Sequence, residues 1–323
     1  MIRVAVIGVG YLGRFHAQKY AAMPGVELVG VVDSRFGRAR EVAGEIGVRA
    51  YSDFSEVMGK IDAASVVVPT VYHRKVAGAL LSGGIHCLVE KPITASLEEA
   101  DELIGLAKDK GLVLQVGHIE RFNPAVKVLE QKVRRPLFIE AHRLGGFKGR
   151  ATDVDVVLDL MIHDIDITLA ILRSPVREIR AAGVPVLTPW VDIANARIIF
   201  ENGCTANLTA SRISLNSMRR IRVFQPGTYI SADCLERKNL IVRRVPGADP
   251  KDAIVPESID HGPVDMLFDE LEAFIVSVRD RTPPKVTGEA GRAALGLALE
   301  INSQIAKGLG ALGADIFNES NPA

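Results

Sequence analysis

Over roughly the first 120 residues, short β-branched apolar runs alternate with stretches whose apolar positions recur at helical spacing. The runs at 2–7, 27–32, 63–68, 86–89 and 112–116 read as strands, and 11–22, 35–46, 72–82 and 96–109 as helices. Ser96, followed by Glu98 and Glu99, gives the last of these helices a capping hydroxyl and acids in its first turn. Strand–helix alternation is the signature of a parallel sheet wrapped by helices. After Gly117 the rhythm changes. A helix at about 124–133 leads to a strand at 137–144, a glycine-rich basic loop, and a strong helix at 154–172. Several strand-like stretches follow from 176 to 243, with Glu201-Asn202-Gly203 reading as a hairpin turn between two of them. Sequential strands of this kind predict a largely antiparallel sheet. Helices at about 263–280 and 288–308, separated by Pro283-Pro284, close the chain. The pattern predicts two α/β domains, 1–120 with a parallel sheet and 121–323 with an open, largely antiparallel one; the last helix can pack back on the first domain.

The turn between the first strand and the first helix adds chemistry to this frame. Gly8, Gly10 and Gly13 fit G-x-G-x-x-G, and Asp33 stands 20 residues beyond the last glycine, at the tip of the next strand. Gly8 permits the tight turn, Gly10 lets the backbone approach a pyrophosphate, and Gly13 lets helix and strand pack closely. The pyrophosphate then rests on N–H groups at a helix N-terminus, and Asp33 accepts hydrogen bonds from the adenosine ribose. An isolated glycine motif is a weak signal in a chain with 29 glycines; here strand, helix, second strand and acid coincide. A carboxylate at position 33 favours NAD over NADP, although Arg35 and Arg38 are near enough to leave NADP open. The expected cofactor contacts are Gly8, Gly10, Tyr11, Leu12 and Gly13 on the turn, Asp33, Ser34 and Arg35 after the second strand, and Pro69, Thr70 and His73 after the third. Glu90 and Lys91 complete the set.

Lysine plus arginine equals aspartate plus glutamate, 39 each, so no basic excess points to nucleic acid or an anionic membrane. No charge-free run of about 18 apolar residues suggests a membrane span. The N-terminal apolar stretch is broken by glycine and becomes the nucleotide turn, which favours a strand over a signal peptide. Three cysteines without a CxxC pattern suit free thiols in a reducing cytoplasm.

Four segments can carry the reaction. In VDVVLDLMIHDIDITLAIL, Asp155, Asp159, His163 and Asp166 share one helical face. Asp159 can hold His163 in one tautomer and stabilise its protonated form, as general-base work requires. The same spacing suits a solvated acidic stripe, but the rest of the helix is so apolar that its acids need partners or a cleft. Metal ligation is the lesser alternative, since no HExxH or CxxC accompanies it; no metal is expected. Glu90-Lys91-Pro92 follows an apolar strand at the end where α/β sheets gather ligands; Lys91 can hydrogen-bond a substrate hydroxyl, or form a plain surface pair with Glu90. His118, Arg121 and Asn123 lie at the domain junction and can orient a polar ligand, while Asn123-Pro124 equally suits a helix start. Arg143, Lys148 and Arg150 flank Gly145-Gly146 in a basic loop able to clamp an anion such as a diphosphate, or simply solvated. His16 and His86 read as packing or surface residues.

These segments in this order resemble the Gfo/Idh/MocA oxidoreductases: Gly8–Gly13, Asp33, Glu90-Lys91-Pro92, Gly117-His118 through Asn123-Pro124, Asp159…His163, and Pro284-Lys285-Val286-Thr287-Gly288-Glu289. The resemblance covers nearly the whole chain. It implies an N-terminal Rossmann domain and a second α/β domain whose open sheet often mediates homodimers or homotetramers. It also implies that Lys91, Asp159 and His163 form the catalytic group of a sugar dehydrogenase. Many relatives read D-x-G-x-H where this chain has Met161, and bulk at that turn is expected to reshape the substrate site. GHIERFNPAV with VVLDLMIHDIDI is most similar to members that oxidise the 3-hydroxyl of UDP-N-acetylglucosamine. An aminotransferase converts their ketone to an amine, in some bacteria for lipid A. Inositol or a free sugar as substrate, and a non-catalytic dinucleotide-sensing regulator, are the alternatives.

Overall fold

The computed structural model describes residues 1–147, 154–247, 249 and 253–311. Their strands form two sheets. The chain begins with β1 (Ile2–Ile7), α1 (Tyr11–Ala22), β2 (Val26–Val32), α2 (Phe36–Ile46) and the short β3 (Arg49–Tyr51). It crosses to β4 (Ala63–Val66), α3 (His73–Ser82), β5 (His86–Glu90), α4 (Leu97–Asp109) and β6 (Leu114–Gly117). The six strands pair in parallel in the order β3-β2-β1-β4-β5-β6. The order reverses between β1 and β4, the switch point outside which open α/β sheets bind ligands. β1 and β4 are sealed: Val4, Val6, Ala63 and Val66 have no exposed surface. Ser96 caps α4 by accepting from the Glu99 N–H at 3.3 Å, as its sequence predicts.

Packing divides the chain into two compact units, Met1–Phe122 with Asp265–Leu295, and Asn123–Val264 with the chain from Gly296 on. A single cut at 120 therefore separates α7 (Met266–Asp280) from the unit it packs in. Leu267, Leu271, Phe274, Ile275 and Val278 of α7 are buried in one cluster with Ala17, Tyr20, Leu28 and Val31. The division falls within α8 (Gly288–Ala311). Its first turns lie close to β6 and α4: a Cβ on Gly291 would come within 2.6 Å of Val116 on β6, and one on Gly288 within 2.8 Å of Ile104 on α4.

The second unit starts at α5 (Pro124–Lys132), with Pro124 at the first turn and Asn123 accepting from the Ala125 N–H at 3.1 Å. It continues through β7 (Phe138–Leu144), α6 (Ile162–Leu172), β8 (Val176–Val184), β9 (Ile193–Phe200) and β10 (Thr205–Ser211). Then come β11 (Met218–Gln225), β12 (Thr228–Asp233), β13 (Lys238–Arg244) and an edge strand, β14 (Ile254–Asp260). The order is β14-β13-β12-β11-β7-β10-β9-β8, antiparallel throughout except for β7 and β10. Glu201-Asn202-Gly203 joins β9 to β10 as expected, with Gly203 at φ +84°. Strict alternation buries Ala194, Ala196, Ile198 and Phe200 of β9 on one face, the face of a sheet covered on one side. α5 packs on β12 and β13, and α6 on β7 and β10. Among the described residues no helix is long and apolar enough to cross a membrane.

The helix expected at 154–172 differs from the reading. Residues Val157–Met161 form a π-turn, in which the Ile162 N–H reaches the Val157 carbonyl five residues back, and the regular α6 begins only at Ile162. The wider turn removes the regular i, i+4 stacking from which a single acidic face was inferred.

Candidate active site

The glycine turn has the geometry that a cradle for dinucleotide phosphates requires. Gly8 sits at φ +90°, where a Cβ would come within 2.6 Å of the Val67 carbonyl oxygen. A Cβ on Gly13 would lie 1.9 Å from the Gly8 oxygen. These two positions are closed to any side chain. A Cβ on Gly10, by contrast, would find nothing nearer than an Arg38 guanidinium nitrogen at 3.8 Å. Gly10 is the N-cap of α1, contributes no side-chain cap, and is followed by a first turn without acids. This end of the helix thus presents backbone and positive dipole to an anion. Tyr11 and Leu12 are exposed beside it.

Asp33, at the end of β2, is buried and doubly held. One oxygen accepts from the Val9 N–H at 3.1 Å and the other from the Arg35 N–H at 2.9 Å. The carboxylate is thereby locked beside the turn, and Arg38 stands 3.7 Å from it. Ser34 and Arg35 are exposed. Pro69 and Thr70 open a short 3-10 turn beyond β4 and lead into His73. His73 is buried rather than lining an open surface. Its Nε2 lies 2.8 Å from the Val68 oxygen and its Nδ1 3.0 Å from that of Pro92, tying the end of β4 to the segment after β5. Burial holds its pKa below the ordinary histidine value, against the pull of these carbonyls and of Glu90.

Glu90 ends β5 and Lys91 follows, half-buried, joined to Pro92 by a cis peptide. One Glu90 oxygen accepts from the Lys91 N–H at 3.2 Å, and the other is 3.2 Å from Nε2 of His16. His16 is completely buried on α1. Its sequence context reads as packing or surface, and the burial bears out packing; the contact with Glu90 joins residues far apart in the chain, and no local spacing announces it. His86 is a packing residue: its Nδ1 accepts from the Val113 N–H at 2.8 Å.

In the second unit, Asp159 lies within the π-turn and His163 at the start of α6, both half-buried. Asp155 plays a different part. One of its oxygens accepts from the Val157 and Leu158 N–H groups, both at 2.9 Å, and the other from the Asn302 amide at 2.9 Å, so it caps the helical segment. Asp166 is buried. Met161 is buried completely. Among the described residues no group of three or more His, Cys, Asp or Glu is placed to hold a metal ion.

The candidate substrate residues belong to both units. His118 is buried, and Arg121 half-buried, around the 3-10 turn Ile119–Phe122. Asn123 is fully buried, capping α5 and donating to the Cys234 carbonyl at 2.9 Å. Arg143 stands on β7, not in a loop. Its guanidinium forks onto Asp164 at 2.8 and 3.0 Å with both side chains buried, so its charge is answered inside the unit. Lys148 and Arg150 lie outside the described residues.

The parallel sheet, its switch point, the glycine turn and the locked acid together define a Rossmann dinucleotide-binding domain. Comparison with known proteins agrees. Residues 2–118 match the oxidoreductase family model with an NAD-binding Rossmann fold, and residues 136–226 match the GFO/IDH/MocA C-terminal domain. The chain is 42% identical over 302 residues to a UDP-N-acetylglucosamine 3-dehydrogenase of Acidithiobacillus ferrooxidans, covering 93% of this chain and 96% of the relative. A crystal structure of that enzyme superposes with a TM-score of 0.89, at 41% identity over 94% of this chain and 97% of that one. A scyllo-inositol 2-dehydrogenase (NAD(+)) of Bacillus subtilis is 32% identical, over 66% of this chain and 68% of its own length. This chain belongs to the Gfo/Idh/MocA family.

Proposed function

We propose that this protein oxidises the 3-hydroxyl of UDP-N-acetylglucosamine, or of a closely similar nucleotide sugar, with NAD as cofactor. The observation that carries the reading is the 42% identity, over nearly the full length of both chains, to an enzyme named for that reaction. Lys91, Asp159 and His163 carry the catalytic roles. His163 takes the proton of the substrate hydroxyl as general base. Asp159 holds the imidazole in the required tautomer and offsets the charge it gains. Lys91 donates a hydrogen bond to the oxygen as negative charge develops there, when a fixed positive group stabilises most. NAD, when bound, supplies the hydride acceptor. Gly8, Gly10 and Gly13 bring backbone up to its phosphates, and Asp33 receives the adenosine ribose hydroxyls and disfavours a 2′-phosphate.

The protein acts as a homodimer or homotetramer in the cytoplasm, and its ketone product passes to a sugar aminotransferase, in lipid A synthesis where the host makes an amine-bearing lipid A. Three buried thiols support the reducing compartment. On the less buried face of the second sheet, the register sets Phe138, Phe224 and Tyr229 side by side with ring centroids 5.7 and 5.0 Å apart. This aromatic row supports subunit association there.

The test is the absorbance of reduced nicotinamide, followed with purified protein, NAD and UDP-N-acetylglucosamine, and with an aminotransferase and glutamate to draw off the ketone. Turnover with this sugar, absent in Lys91→Met although that variant still binds NADH, is the expected outcome. Turnover with scyllo- or myo-inositol alone overturns the nucleotide-sugar assignment. NADH binding without turnover on any of these substrates supports a regulator instead.

A further inference from the structure

Lys91 sits on a turn that is held from several sides. Its N–H donates to Glu90, whose side chain folds back into the first unit instead of reaching into solvent. The register of β5 and β6 sets Glu90 opposite Gly117. A Cβ on Gly117 would come within 2.8 Å of the Glu90 carboxylate, so the glycine leaves the space the carboxylate fills. His73 braces the same turn through the Pro92 carbonyl. A carboxylate this enclosed needs a charged or hydrogen-bonding partner. His16 stands on the other side with no exposed surface of its own; its Nε2 lies 3.2 Å from Oε1, an ion-pair distance without hydrogen-bond alignment. His16 lies on α1, three residues after Gly13, on the same helix whose N-terminus forms the phosphate cradle. A chain of contacts therefore runs from the cradle helix through His16 and Glu90 to the Lys91 backbone.

We propose that His16 is a positioning residue for Lys91, acting through Glu90 to hold the lysine turn in register with the phosphate cradle. The inference rests on the reading of Lys91 as a catalytic residue. A fixed lysine matters because a misplacement of about 1 Å at a reacting group can cost about a hundredfold in rate. His16 touches no reacting atom, so its effect should fall on kcat and leave cofactor binding alone.

The experiment compares His16→Leu, His16→Gln and Lys91→Met in the full chain. Protection of the Lys91 amide against hydrogen exchange, kcat and KM, and NADH affinity by nicotinamide fluorescence are each measured. In His16→Leu the Lys91 amide loses protection and kcat falls about 10- to 100-fold. KM and NADH affinity stay within about twofold. In His16→Gln a polar side-chain amide keeps a contact with Glu90, and both protection and kcat return most of the way to wild type. The inference is overturned if Lys91 protection is unchanged in His16→Leu, if kcat falls only with the folded fraction, or if Gln restores no more than Leu. Turnover surviving in Lys91→Met sinks the catalytic reading instead, and the exchange measurement still decides whether His16 holds the turn.

Discussion

At the scale of single residues, the three glycines of the cradle have separable jobs. Gly13 is a packing position: an added methyl would meet the Gly8 oxygen at 1.9 Å, and both atoms belong to backbone with little room to retreat. Gly10 is an access position, since the same methyl would touch only the end of the Arg38 side chain. Gly13→Ala should therefore cost stability, by about 1–3 kcal/mol or more for overpacking, and lower the melting temperature. Gly10→Ala should melt within about 2 °C of the parent, in line with a surface change of about 0.5 kcal/mol or less. It should nonetheless lose NADH affinity, because its Cβ stands where the pyrophosphate must approach the backbone. Thermal melts and fluorescence titration of the two variants check this. Equal loss of stability in both would mean that the whole turn is rigid and that access and packing cannot be told apart.

At the scale of elements, local signals carried most of the fold. The predicted helix 11–22 is α1, Ser96 and Asn123 cap the helices they precede, and the Glu201-Asn202-Gly203 hairpin lies where its sequence places it. What was illegible depends on contacts between distant residues. Nothing in the local pattern of Arg143 announces Asp164 across the unit, and nothing near His16 announces Glu90. The π-turn at Asp159 escaped because hydrophobic periodicity over five residues does not separate it from an α-turn. The glycine turn and Asp33 were legible as structure, since they sit in one contiguous motif. The β5–β6 pair also has a pH-sensitive joint. His86 at the start of β5 accepts the Val113 N–H just before β6, and only a neutral imidazole can accept there. Burial first, then Arg281, holds its pKa below the ordinary value, with Asp62 pulling the other way. The unfolded chain then binds a proton more readily than the folded one. The contribution is complete above about pH 6.5, the unfolded histidine value, and is lost as pH falls through the lower folded value. Stability should decline as pH falls below about 6.5, and less steeply in His86→Gln. Denaturant melts across that range decide it; identical slopes for the two proteins would remove His86 from the account.

At the scale of the whole molecule, the first unit is assembled from two stretches of chain, with Asn123–Val264 of the second unit running between them in sequence. Its core needs both. Leu267, Leu271, Phe274, Ile275 and Val278 of α7 are buried against α1 and β2 residues. β6 is extended by the Val116 N–H donating to the Val286 carbonyl at 3.0 Å, and Gln115 reaches the Glu270 carbonyl at 3.2 Å. Burying one such side chain stabilises by about 1.5–3 kcal/mol, so the five of α7 amount to roughly 7–15 kcal/mol, an upper estimate because unfolded chains are partly collapsed. That is comparable with the entire stability of an ordinary domain, about 5–15 kcal/mol. The glycine motif is thus contained in residues 1–122 while the stability of the unit is not. A fragment ending at Phe122 should fail to fold: it should show no cooperative denaturant transition and no NADH binding. Appending residues 265–295 should restore both, and a short linker is enough, because α7 packs on the Ile119–Phe122 turn. If the shorter fragment melts cooperatively and binds NADH with parental affinity, α7 is an accessory to a self-sufficient sheet. If only the longer one does, the nucleotide domain is a discontinuous unit, and truncations cut at the apparent boundary near 120 would report on a broken core.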